Sequence, residues 1–301
     1  LRDGEEVPIN KEEAIKYFKM SADKGHTKSM ISYALMLLKA EGVEYNKKEA
    51  FEYLNKAIEK GDSDAYDIYG DIYDQGIGVE VNKQEAIKYY KISIDKGSTD
   101  RISKYAFMLF KGEGIESNKE EAVKYFKIAA DKGDIYAMKT YAESVLHRKE
   151  SEIDINEVMK YYKMSADNED IEGMYNYGML LFLGSNEIQR KCIHYALSQD
   201  YKSLKPLIEE NVKSFWIKSK TSFKIKSLKY FEKAAEYGHI LSIIFLSRLY
   251  TFSNDYEKKA KYLKMAINTG HIESMIDYAT MLYIGEEISI NIEESLKYLK
   301  M

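Results

Sequence analysis

Apolar and polar residues alternate along this chain with the spacing of amphipathic helices, and the pattern returns every 36 residues. Within one unit, a first segment over roughly 63–75 carries apolar residues on one face, and a second segment over roughly 83–96 does the same. Gly76 and Gly78 lie between them, where a turn needs positive φ. Asn82 with Glu85 predicts an N-cap for the second helix, and Gly97 predicts its C-cap.

The same markers recur at fixed offsets through the first half of the chain. They are Asn10, Asn46, Asn82 and Asn118; Gly25, Gly61, Gly97 and Gly133; Tyr17, Tyr53, Tyr89, Tyr125 and Tyr161; and Tyr33, Tyr69, Tyr105, Tyr141 and Tyr177. Small residues recur where two helices must approach closely, at Ala34, Gly70, Ala106, Ala142 and Gly178. A fixed period of this size predicts a solenoid, because one unit cannot bury its apolar face alone.

The spacing resembles the Sel-1-like repeat, a relative of the tetratricopeptide repeat. The resemblance rests on the Ala-x-x-Tyr-aromatic run, on Ala-Ala-Asp-Lys-Gly at 129–133, and on the glycine pairs Gly76/Gly78 and Gly112/Gly114. It implies an all-α fold, a right-handed superhelical solenoid of antiparallel helix pairs. In that family's register, helix A follows each glycine and helix B begins near each asparagine. The resemblance also implies that the protein holds other proteins together.

The regularity of the repeat divides the chain into three parts. We expect a regular array over 1–183, a degenerate repeat or irregular connection over 184–223, and a second regular array over 224–301 that stops within its last repeat. Tyr195 with Ser203 resembles a worn repeat inside the middle part. The chain begins and ends in mid-repeat, so we expect it to belong to a longer protein.

Composition narrows the class of protein further. The formal net charge is −4, which predicts no general attraction to nucleic acid. No apolar run is long enough to span a membrane, so no membrane insertion is expected. Cys192 is the only cysteine, which favours a reducing, cytoplasmic location.

No residue cluster predicts catalysis. His26, His239 and His271 each follow the glycine of a repeat, so they are interpreted as one structural position at a helix start. Ser-x-x-Lys occurs at Ser21 and Ser93 without the accompanying motifs of serine β-lactamases. The sequence therefore predicts no enzyme, no metal and no cofactor in this array.

Two surfaces are candidates for partner binding. In family register, helix A positions facing a concave groove hold four aspartates in one repeat and apolar residues in later ones; they are Asp64, Asp67, Asp71, Asp74, Phe107, Phe110, Tyr175, Met179 and Phe182. The aspartates repel one another at neutral pH; a solvated helix face is the simple interpretation of them, and a site for a basic partner segment is the alternative. The apolar groups would be anchors, unless the face assignment is off and they belong to the core.

The second surface is a basic segment without an acid between Glu210 and Glu232. Its lysines are Lys213, Lys218, Lys220, Lys224, Lys226 and Lys229, interleaved with Phe215, Trp216 and Phe223. A solvated face is the simple interpretation, and an acidic or phosphorylated partner is the alternative.

These observations favour a scaffold or adaptor that presents a concave groove to peptide or helical segments within a multiprotein complex. Two other hypotheses stay open at this level. The array could be the regulatory region of a larger enzyme, such as a kinase, whose catalytic domain lies outside this segment. It could also be an architectural spacer in a large assembly.

Overall fold

A computed structural model describes residues 10–147, 153–183, 222–285 and 290–300. In these ranges the chain forms fifteen helices and no strand. The helices are α1 (Lys11–Asp23), α2 (Thr27–Lys39), α3 (Lys47–Glu59), α4 (Asp64–Gln75), α5 (Lys83–Asp95), α6 (Ile102–Lys111), α7 (Lys119–Asp131), α8 (Ile135–Leu146), α9 (Ile155–Asp167), α10 (Ile171–Leu183), α11 (Ser222–Glu236), α12 (Ile240–Phe252), α13 (Tyr256–Asn268), α14 (Ile272–Ile284) and α15 (Ile292–Lys300).

Consecutive helices pack in pairs, as the repeat predicts. The pairs α2/α3, α4/α5 and α6/α7 make the most extensive contacts in the first part of the chain, and α12/α13 and α14/α15 do so near the end. In each pair the even-numbered helix is helix A and the odd-numbered helix is helix B. The all-α solenoid of helix pairs is therefore confirmed.

Two compact units divide the chain, 1–137 and 138–301. In the first unit, a continuous core runs from Ile15 to Ile72 through α1–α4. In the second unit, one core cluster joins α10 to α13 around Phe231 and Phe245, and another lies around Tyr278. This boundary at 137/138 does not coincide with the ends of the predicted arrays 1–183 and 224–301. The division into these two arrays stays a prediction.

Local capping explains where the helices begin and end. The side chains of Asn46, Asn82 and Asn118 each accept the backbone N–H of the glutamate three residues later, so the predicted caps are confirmed. Helix A of the second repeat ends at Gly76, whose φ of +70° favours glycine. These signals are local and therefore readable from sequence.

The three histidines that follow a repeat glycine are helix caps. In His26, His239 and His271, Nδ1 accepts the backbone N–H of the serine three residues later, at 3.2 Å in each case. Only the neutral imidazole can accept this bond, because both ring nitrogens are donors in the protonated form. The interpretation of these histidines as one structural position is confirmed.

The tyrosine pairs join helix A to helix B inside each repeat. The rings of Tyr33 and Tyr53 lie 4.9 Å apart, edge to face, and those of Tyr105 and Tyr125 lie 4.8 Å apart in the same way. Nζ of Lys19 on the preceding helix B donates to both hydroxyls of the first pair, at 3.3 Å. The tyrosines are packing groups with a polar edge, as predicted.

Small residues set the distance between helix A and helix B. A Cβ built on Gly70 would lie 2.3 Å from Cε1 of Tyr90, and one built on Gly178 would lie 3.1 Å from Cε1 of Phe231. Both glycines are helical, so their role is close approach rather than unusual backbone geometry.

The pairing of α10 with α11 shows which helices lie on either side of the middle part of the chain; the predicted degenerate repeat or irregular connection over 184–223 stays a prediction. Gly178 contacts Phe231 as Gly70 contacts Tyr90, and Tyr177 meets Tyr230 edge to face at 4.9 Å. These two helices therefore form one A–B hairpin, and residues 184–221 come between its two halves along the chain. The predicted worn repeat at Tyr195 and Ser203 lies outside the described residues.

We expect Gly70→Ala to lower the free energy of unfolding by about 1 kcal/mol or more, because the new methyl group overpacks the contact with Tyr90. Alanine has a higher helix propensity than glycine, and this gain of about 0.5–1 kcal/mol opposes the loss from overpacking. Gly178→Ala is the matched control and should cost less, since its contact is looser. Urea denaturation measures both variants, and an equal or larger loss for Gly178→Ala would contradict the packing argument.

We expect stability to fall as the pH drops through about 6.5, the ordinary pKa of histidine in the unfolded chain. Burial lowers the pKa of His239 in the folded state, against the opposing charges of Glu172 and Asp170, and the ring of Tyr175 packs on it. The unfolded state therefore binds the proton more readily.

Replacing this cap by His239→Asn, which caps without titrating, should flatten part of that pH dependence. Urea denaturation at several pH values measures the slopes; an unchanged slope in His239→Asn would disprove the role of this cap.

Candidate functional site

Helix A exposes one stripe of side chains in the first unit. Positions equivalent to 28, 32, 35 and 39 of α2 are exposed or half-buried in α2, α4 and α6. Positions equivalent to 31 and 38 are buried in α2 and α4, where they face inward. We call the exposed stripe of α2, α4, α6 and the start of α8 the A-face.

This placement corrects half of the predicted acidic row. Asp64 is exposed and Asp71 half-buried on the A-face, but Asp67 and Asp74 are only 4% and 7% exposed. The predicted exposed face was wrong by one residue at these two positions, which corresponds to a rotation of about 100° around the helix axis. The four aspartates therefore do not form one free acidic wall.

Three of the aspartates are bonded to the next helix A or to residues just before it. Asp67 accepts the hydroxyl of Ser98 at 2.6 Å. Asp71 accepts two N–H groups of Arg101, at 2.7 and 3.2 Å, as well as the hydroxyl of Tyr90 at 2.8 Å. This contact between successive A helices is called the seam. Repulsion between the acids is relieved by donors about 30 residues further along the chain.

Asp74 is the best neutralised carboxylate of the seam. It lies 2.6 Å from Nζ of Lys83 and 2.9 Å from Nζ of Lys104. Burial alone would raise the pKa of Asp74, but the hydrogen bonds from these two lysines outweigh it and hold the pKa below its usual value. At Asp67, in contrast, burial raises the pKa, and the hydrogen bond from the neutral hydroxyl of Ser98 opposes this without outweighing it.

An aromatic group remains accessible on the A-face. Tyr136 is 51% exposed and Ile135 is exposed beside it in sequence, while Phe107 is half-buried. The rings of Phe107 and Tyr136 contact each other edge to face at 6.4 Å, and Nζ of Lys111 lies 4.3 Å above the Phe107 ring. Phe110, which was predicted beside Phe107, is half-buried and packs against Phe126 instead.

The predicted anchors in the second unit are core residues. Tyr175, Met179 and Phe182 are all buried in the cluster that joins α10, α11 and α12. Tyr175 packs against Phe231, and Phe182 packs edge to face on Phe245 at 4.9 Å. Since the packing of three helices encloses them, these side chains cannot receive a partner in this structure.

The second unit also contains an altered copy of the arrangement at Asp71. Glu143 and Tyr162 lie 72 residues, two repeats, after Asp71 and Tyr90. The counterpart of Arg101 is Gly173, whose added Cβ would clash with Ser165. The Tyr162 hydroxyl is fully buried and has no hydrogen-bond partner among the described residues.

Charge around this pair is mainly negative. Burial raises the pKa of Glu143, opposed by nearby Lys139 and reinforced by Glu172 and Asp170. Lys139 itself lies 3.6 Å from a carboxylate oxygen of Glu172. The periodic comparison with Asp71 is the sequence signal that could have identified this pair.

Half of the six predicted lysines lie outside the described residues, namely Lys213, Lys218 and Lys220. Lys224 falls within α11, but its side chain is not described. Lys226 and Lys229 are exposed on α11. An acidic partner at 213–229 stays a prediction.

The described ranges contain neither a group of metal ligands nor a membrane-spanning helix. No group of three or more His, Cys, Asp or Glu side chains there is arranged to hold a metal ion. None of the helices described is both long and apolar enough to cross a bilayer.

The Sel1 repeat family matches seven segments of this chain, and together they cover more than half of it. The segments are 1–26, 27–62, 63–98, 102–134, 171–197, 224–239 and 272–301. The chain belongs to the Sel1 repeat family. Repeats of this class are generally modules of protein–protein interaction and typically non-catalytic. No curated protein matches the chain.

A solved structure agrees with the fold. A protective antigen present in uropathogenic Escherichia coli strains, displaying an SLR fold, matches with a TM-score of 0.55 and 18% identity over 99% of this chain. The match spans 66% of that antigen's chain. A Sel1 repeat protein from Oxalobacter formigenes matches 66% of this chain and 84% of its own, with a TM-score of 0.49 and 23% identity.

Tyr90→Phe and Tyr162→Phe should have different effects on stability. We expect Tyr90→Phe to lower the free energy of unfolding by about 1–2 kcal/mol, because Asp71 loses a buried donor. Tyr162→Phe should leave stability unchanged or raise it, since the hydroxyl it removes is buried without a partner. Urea denaturation of the two variants is the measurement, and equal losses would contradict the structure at Tyr162.

Proposed function

We propose that the protein is a scaffold or adaptor that binds peptide or helical segments of other proteins on the A-face of its first unit. The observation that carries this proposal is the accessible aromatic group of Phe107 and Tyr136 on that face. Membership of a repeat family of interaction modules supports it. Large aromatic side chains are frequent energetic centres of protein interfaces.

Charges at the two ends of the A-face would orient a bound segment. Asp64 at the start of α4 and Asp100 just before α6 are exposed at one end, where α2 has Lys28 instead, and Lys39 and Lys111 are exposed at the other end. A segment with apolar anchors between oppositely charged groups would match this distribution. Such charges mainly set the rate of association and the register, while the anchors set the lifetime of the complex.

Selection of displayed peptides against the full chain tests the proposal. We expect selected peptides to lose about tenfold in affinity or more with Tyr136→Ala or Phe107→Ala, because anchor residues contribute at least 1–2 kcal/mol. Fluorescence anisotropy with labelled peptides measures the affinities.

Tyr237→Ala is the matched control. Tyr237 is also 51% exposed, but it follows α11 in the second unit. Peptides that bind all three variants equally would show that the A-face aromatics are not the binding site. Peptides that lose affinity only with Tyr237→Ala would move the site to the second unit.

A further inference from the structure

The seam of the first unit contains a complete three-part arrangement. A carboxylate, Asp71, is held by a tyrosine hydroxyl from helix B and by the two-pronged guanidinium of Arg101. Arginine suits this position because its planar fork donates two parallel hydrogen bonds to one carboxylate. Tyr90, Asp71 and Arg101 therefore show what this fold places around a carboxylate at that position.

The second unit repeats two of the three parts. Glu143 and Tyr162 take the places of Asp71 and Tyr90, while Gly173 takes the place of Arg101. No ion pair or side-chain hydrogen bond is described for the Glu143 carboxylate, and none for the Tyr162 hydroxyl within the described ranges. A buried hydroxyl without a partner is costly, so the arrangement calls for a further polar group.

The charges around Glu143 and Tyr162 favour a cation as this further polar group. The carboxylates of Glu172 and Asp170 lie close enough to Glu143 to disfavour its charged form. Lys139 is the one described cation that acts on this group, and it is ion-paired with Glu172 at 3.6 Å. Glu143 is half-buried on the same stripe of helix A as Asp71, so a side chain can approach it from the surface.

We propose that Glu143, backed by the Tyr162 hydroxyl, is a receptor for an arginine side chain of a partner protein. The guanidinium would supply the part that Arg101 supplies within the first unit. This inference rests on the proposed scaffold function, and it names a basic residue as the feature recognised in the second unit. No bond is made or broken, and specificity comes from the planar fork of donors.

Nuclear magnetic resonance of the full chain with ¹³C-labelled tyrosine tests this site without a known partner. The Tyr162 signal is assigned by its loss in Tyr162→Phe, and the probes are N-acetyl-arginine amide and its neutral isostere N-acetyl-citrulline amide. We expect a saturable shift of the Tyr162 signal with the arginine probe only. Glu143→Gln should weaken that response at least about tenfold, because it removes one charged hydrogen-bonding partner.

Two controls separate this outcome from unfolding. Glu143→Asp keeps the charge and should retain the response, and Glu236→Gln removes an exposed acid of the same unit and should change nothing. Circular dichroism checks that each variant is helical. An equal response to citrulline, or an unchanged response in folded Glu143→Gln, would overturn the inference.

Absence of any saturable shift with the arginine probe would also overturn it. That result would leave the proposed function intact, because peptide binding at Phe107 and Tyr136 is measured separately in the first unit. Conversely, a response at Tyr162 would stand even if no displayed peptide bound the A-face.

Discussion

The close approach of helix A to helix B is the contact on which each repeat depends. One small residue per helix A permits it: Gly70 admits the ring of Tyr90, and Gly178 admits that of Phe231. Where Ala142 stands in that place, the corresponding Tyr162 hydroxyl has no described partner. The small residue thus sets how closely the ring of helix B approaches helix A, because protein interiors have little free volume.

Contacts between successive A helices differ from one repeat to the next. Aspartates of α4 meet Arg101, which precedes α6, and Lys104 of α6, whereas Phe182 of α10 meets Phe245 of α12. Between α12 and α14 the polarity is reversed, since Arg248 lies on the earlier helix and Asp277 on the later one, 3.1 Å away. The hairpin is therefore the constant element of this solenoid, and the seam is the variable one.

The constant part was predictable from sequence and the variable part was not. Asparagine caps, glycine turns and small contact residues act within a few positions and recur with the period, so they can be read directly. The burial of Asp67 depends on which side of α4 meets a helix 30 residues away. The pairing of α10 with α11 spans residues 184–221, although the aromatic pair Tyr230/Phe231 repeats Tyr89/Tyr90 and is the signal that identifies it.

Variation of the seams has a consequence for folding. Tandem repeats of similar sequence risk docking against the wrong neighbour, which produces kinetic traps and exchange of segments between molecules. A helix bearing Asp71 and Asp74 would bury uncompensated charge if it docked on the apolar surface around Phe245. Only the correct neighbouring helix would then supply the matching contacts at each seam. Any other order of the repeats would cost free energy, and this penalty would favour the native order.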